Sequence, residues 1–248
     1  MLPYDSHCSS FGLFANFNTK LPLPTQRETV LNYFEAMRRT FPQLTDFDCR
    51  DNGEFSLEED RETDSRRWIT LESKRVCAGF LNPPSLETAD AFHMQVLQMT
   101  PYHLDFNPLD CEALDVVFAF DYLYAGNHDE VVAETLGAGP PLEGFLQIPG
   151  SKVLNYEPSI MLALDDSCGL QCRLQIETRT NPLQVKTGQF AEANISVLFT
   201  IRQYWNRKGD FPFSEAYLSQ RETCSRLVDQ HIAPNILKPL AQAIATRQ

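Results

Sequence analysis

The sequence contains none of the motifs that announce a chemistry, and each missing pattern closes a class of function. Neither a Gly-x-Gly-x-x-Gly, a Walker A nor a Gly-x-Ser-x-Gly run occurs, and eleven glycines dispersed over 248 residues supply no phosphate cradle. The five histidines, His7, His93, His103, His128 and His231, form no HExxH or HxH pair. Positive charge is scarce: 21 Lys and Arg against 33 Asp and Glu leave a net charge of −12. Such a surface repels phosphate backbones and anionic headgroups, so neither nucleic acid nor membrane is expected as a partner. The N-terminal run MLPYDSHCSSFGLF lacks the basic start and apolar core of a signal peptide, and no stretch approaches the roughly 18 apolar residues of a span. A cytoplasmic protein is expected. The seven cysteines, at 8, 49, 77, 111, 168, 172 and 224, are odd in number and scattered, which gives no disulfide framework and predicts free thiols.

What is present is material for a core. The apolar fraction is 43%, with 17 Phe and 8 Tyr, and the length suffices for one large domain. A short aromatic run over Phe11 to Phe17 reads as a strand. Thr25-Gln-Arg-Glu28 matches a capping box, and Val30, Leu31, Phe34, Met37 and Phe41 follow at helical spacing. Leu44 to Asp51 and Glu54 to Asp60 flank Asn52-Gly53, the residue pair of a two-residue hairpin turn. Trp68 to Phe80 reads as one long alternating strand. Ser85 then caps a helix carrying Leu86, Ala89, Phe92, Val96 and Leu97.

A second half follows in the same order. Leu114, Val116, Phe118, Phe120, Tyr122 and Tyr124 alternate strictly over Ala113 to Tyr124, and Asn127 with Glu130 opens a short helix. Ser159 to Leu164 and Leu170 to Arg179 are strands joined through Asp165 to Gly169, and Asn194 to Trp205 is a third. Ser214 opens the final helix, whose stripe includes Tyr217, Leu218, Cys224, Leu227, Val228 and a core His231, and Pro234 kinks or ends it. The chain therefore reads as α+β: a mostly antiparallel, curved sheet with helices packed on one side. It forms a single domain, 1–248, of two pseudo-repeats, 1–108 and 109–248, each of order β-α-β-β-β-α. This order resembles the duplicated layout of the TATA-box-binding protein in topology only. That family binds DNA through a basic concave sheet with apolar wedges, which this acidic chain does not reproduce, so no function is carried over.

Candidate sites are few. Cys168-x-x-x-Cys172 behind Asp165 and Asp166 comes nearest to a metal cluster, but it lacks a second ligand pair and suits a hairpin turn; no metal or other cofactor is expected. His103 with Asp105 and His128 with Asp129 bring imidazole near carboxylate, yet side chains so close in sequence rarely converge, and helix-end or loop roles are expected. Residues 46 to 64 hold nine carboxylates against Arg50 and Arg61. They lack a calcium-loop pattern and read as a charged sheet edge that blocks strand pairing. Trp68 beside Arg66 and Arg67, and Trp205 beside Arg202, Arg207 and Lys208, have the composition of a clamp for an anionic or aromatic ligand; arginine stems covering aromatic edges give the same pattern. The expected function is a non-catalytic binding or interaction module that engages a protein or small ligand through the polar face of its sheet or a groove between its halves. The alternative is an enzyme with a carboxylate and His site between the halves. An open sheet also has edges that a homodimer could cover.

Overall fold

The computed structural model describes residues 4, 7–50, 53–137, 144–205 and 212–247. In chain order the elements are β1 (Ser10–Thr19), α1 (Arg27–Thr40), β2 (Asp46–Cys49), β3 (Phe55–Glu58), β4 (Arg66–Glu72), β5 (Arg75–Leu81) and α2 (Leu86–His103). They continue with β6 (Cys111–Tyr124), α3 (His128–Leu136), β7 (Ser159–Ala163), β8 (Leu170–Glu177), α4 (Pro182–Thr187), β9 (Ala193–Tyr204), α5 (Phe213–Leu227), a π-helical stretch (Val228–Leu237) and α6 (Lys238–Ala245).

The nine strands make one sheet in the order β2-β3-β4-β5-β1-β6-β9-β8-β7, every neighbouring pair antiparallel and the two ends unjoined. The protein is thus α+β, with a curved, unclosed antiparallel sheet and helices on one side. Alternation decides the sides. Phe11, Leu13, Ala15 and Phe17 of β1 and Leu114, Val116, Phe118, Phe120 and Tyr122 of β6 are buried beneath the helices, with the matching residues of β9, Ile195, Val197, Phe199 and Ile201. Burying these rows is worth about 1.5–3 kcal/mol per large side chain. Their intervening residues form a second face that no described helix covers.

The first strands of the two halves, β1 and β6, meet at the centre over the registers Ser10↔Asp121 to Thr19↔Cys111. Outward from this seam lie β5, β4 and β3 on one side and β9, β8 and β7 on the other. This arrangement is consistent with the TATA-box-binding-protein layout. The first half has one strand more than expected, because Trp68 to Phe80 is two strands folded back at Ser73-Lys74, with Glu72 paired to Arg75. The buried set shifts there from Ile69 and Leu71 to Val76, Ala78 and Phe80, which is the parity change that a two-residue turn imposes.

Other local expectations were altered by the chain's geometry. The helix α1 begins at Arg27 with extended Gln26 as its cap and no side-chain capping bond, so Glu28 stands one position short of closing the box read at Thr25. Between β2 and β3 the register pairs Cys49 with Phe55, which leaves an odd number of residues at the joint rather than two; Arg50 N donates to Glu54 O and Gly53 N to Arg50 O, with Gly53 at φ +83°. Asn52 lies outside the described residues. The C-terminal helix does not stop at Pro234. It widens into π geometry, whose longer-range bonding accommodates a residue without an N–H. That widening also shifts the apolar stripe to Val228, Ile232, Ala233 and Leu237, and His231 is exposed rather than in the core.

Candidate functional site

The register of the helix-free face places residues from far apart in sequence in transverse rows. One row runs Thr70, Cys77, Asn16, Asp115, Arg202, Gln171 and Ala163 across β4, β5, β1, β6, β9, β8 and β7. The next runs Trp68, Gly79, Phe14, Val117, Thr200, Arg173 and Met161. Between the second-half ends of these rows a recess of about 190 Å³ opens at the seam, lined by Asn16, Asp115, Val117, Met161, Gln171, Arg173, Thr200 and Arg202, with Arg75 and Cys172 at its margins.

Its electrostatics are asymmetric. Arg202 grips Asp115 through two bonds of 2.7 Å, Nε to Oδ1 and Nη2 to Oδ2, and Asn18 Nδ2 donates to Oδ2 at 3.0 Å. Asp115 is only 3% exposed, so this fork-to-fork pair satisfies a carboxylate that water scarcely reaches. The same bonds raise the pKa of Arg202, fixing it as a cation. Arg75 is held by Glu72 through Nε at 3.0 Å and Nη2 at 2.7 Å. Among the described residues Arg173 has no carboxylate partner: its Nε donates to Ser159 Oγ at 3.1 Å. On the floor, Asn16 Oδ1 is buried without a hydrogen-bond partner among the described residues. The recess thus offers guanidinium donors and one orphaned acceptor, a set suited to an anion that also carries an O–H or N–H.

The clamp residues are distributed over both sides of the sheet. Trp68 lies on the open face, flat over Gly79, where a Cβ would stand 2.3 Å from the indole, and edge-on to Phe14 at 5.4 Å. Arg66 stacks on it at 5.9 Å. Arg67 points to the helix side, where it pairs with Glu59 and lies 5.0 Å over Phe41. Trp205 is buried against Phe213 at 4.6 Å. Arg202 is in the recess, and Arg207 lies outside the described residues. The two tryptophans therefore belong to different surroundings, and Trp68 shares the open face with Arg202.

The two buried histidines serve packing. In α2, His93 is enclosed, its Nδ1 3.0 Å from the Tyr217 hydroxyl; Tyr217 donates to Asp90 Oδ1 at 2.8 Å, and Arg221 binds Asp90 as well. Because the Tyr217 proton goes to Asp90, Nδ1 of His93 is the donor in that pair. At α3, His128 Nε2 meets Tyr124 O at 3.1 Å and Nδ1 accepts from Arg179 N at 3.2 Å, while Asp129 Oδ1 accepts from Tyr156 N and Thr178 Oγ1. His128 and Asp129 both fasten the segment at Thr178 and Arg179, Asp129 holding Tyr156 as well, and with these partners they do not form a base with its orienting acid. Cys168 is exposed in the β7–β8 turn and Cys172 is buried under the helices, and among the described residues no three His, Cys, Asp or Glu side chains gather as metal ligands. No helix among the described residues is long and apolar enough to cross a membrane.

No protein-family model matches the chain, and no curated protein matches it either.

The recess was hidden from sequence reading because its members come from β1, β5, β6, β7, β8 and β9, and only the strand order brings them together. The sequence marks Arg202 as a clamp residue and Arg173 as a charge on the sheet's polar face, and it gives no sign that the two meet.

Proposed function

We propose that the protein is a non-catalytic binding module whose open sheet face, at the seam recess, takes a small anionic ligand bearing a carboxylate or phosphate group. The observation that carries this reading is the gathering of Arg75, Arg173 and Arg202 around one recess in a chain of net charge −12. Arg173, with no carboxylate partner among the described residues, is the primary anion contact, and Arg202, oriented by Asp115, supplies a fixed second charge. Val117 and Met161 offer apolar contact to the rest of the ligand, and Asn16 Oδ1 an acceptor for its hydroxyl or amine. Binding rather than turnover is favoured by the commitment of Asp115 to Arg202 and Asn18, and by the absence of any histidine from the lining among the described residues.

The test is titration with inorganic phosphate and with citrate, followed by amide chemical shifts. Shifts confined to Gln171, Arg173 and Thr200, with affinity reduced about tenfold or more in Arg173→Ala, are expected for loss of a charged hydrogen bond. Unmoved amides at millimolar ligand, or equal affinity in the variant, would remove this reading.

A further inference from the structure

The two ends of the sheet are built differently. At one end β2 exposes Asp46 and Asp48, whose charges repel an incoming strand. At the other end β7 reads Ser159-Ile-Met-Leu-Ala163 without a charge, and it is exposed throughout, with Ile160, Met161 and Leu162 each above half of their full accessibility. Leu164, just beyond, is also exposed. Among the described residues no strand pairs with its outer edge. An uncharged apolar edge is a pairing template that soluble proteins otherwise blunt with charge, proline or a cover.

The backbone adds a second, independent observation. Ile176 N donates to Pro158 O and Leu164 N to Leu170 O. Even-numbered positions of β7 therefore form the ladder with β8, and antiparallel alternation turns the N–H and C=O of Ser159, Met161 and Ala163 outward. We infer that β7 pairs antiparallel with β7 of a second copy about a twofold axis at Met161, joining two nine-stranded sheets into one.

This register is singled out by the strand itself. Ser159 falls opposite the partner's Ala163 and Met161 opposite the partner's Met161, so every outward-facing residue of both strands is used. Ile160 then meets the partner's Leu162, twice by symmetry, and covers the exposed branched side chains on the helix side. A one-residue shift would set helix side against open face, and a two-residue slip would push an outward residue past the end of the facing strand. The segment is thus complementary to its own reverse, which favours a second copy over a foreign peptide. Because both copies use the same edge and both free ends carry acidic β2 strands, the assembly closes at two rather than growing.

Sedimentation equilibrium of the whole chain decides it. The wild type is expected at twice 28.3 kDa. Met161→Pro removes the outward N–H without touching the β8 ladder, and Ile160→Lys sets charge on the helix side of the junction; both are expected to weaken self-association about tenfold or more. Amide exchange of residues 159, 161 and 163 in the wild type provides a readout that needs no variant, since their protection should rise with protein concentration. A wild type that remains at 28.3 kDa with these amides unprotected, or a dimer that survives both substitutions, would overturn the inference.

Discussion

His93 shows what enclosure does to an ordinary imidazole. Removal from water pushes its pKa down to about 3, while the Tyr217 hydroxyl beside it is pushed well up, so both are neutral across the physiological range. In the unfolded chain the same imidazole takes up a proton near pH 6.5. The unfolded state therefore binds more protons between about pH 6.5 and 3. The contribution of neutral His93 to stability is complete above that window and is lost progressively as pH falls through it. His128, whose pKa burial also lowers, acts in the same direction. Urea unfolding at stepped pH should show stability declining below about 6.5, and His93→Gln should flatten that decline. An identical slope in the variant would assign the acid sensitivity elsewhere.

Among the elements, α4 is the one that local chemistry alone sustains. Asn181 Oδ1 accepts from the N–H groups of Leu183 and Gln184, the Gln184 side chain accepts from Asn181 N, Pro182 occupies the first turn, and Gly188 ends the helix at φ +70°. Only Val185 of this helix is buried. Asn181→Ala should then cost about 1 kcal/mol in global stability and speed amide exchange within residues 182–187, as loss of a cap predicts. These punctuation residues were legible in the sequence, and the helix was missed because a six-residue segment shows too little periodicity to separate it from a loop. Periodicity was decisive where it was long. Leu114 to Tyr124 displayed its buried face directly, and the caps at Ser85 and Asn127 formed as read, accepting from Thr88 N and Glu130 N. It misled at Ser73-Lys74, where strands on both sides of a tight turn alternate and only the parity change marks the fold. The recess was illegible for a different reason: Asn16, Asp115, Arg173 and Arg202 carry no common spacing, and their meeting depends on registers that a single sequence does not encode locally.

On the scale of the whole molecule, one apolar core runs beneath both halves, from Tyr33 and Leu57 to Leu237 and Leu240, and the seam pairs β1 with β6 without interruption from Ser10 to Asn18. Neither half can unfold without exposing the other's central strand. Calorimetry should accordingly show a single transition with equal calorimetric and van't Hoff enthalpies, and two resolved transitions would mean that the halves are separable units. The same seam sets an order of events during synthesis. β1 ends at Thr19, whereas its central partner β6 begins only at Cys111, so a nascent first half can close β5 onto β1 while the opposite edge of β1 waits bare. Loop closure over such a span is slow, and a bare strand edge is sticky in the interval. On the ribosome, the strand that ends up most deeply enclosed is therefore the one left longest without its neighbour.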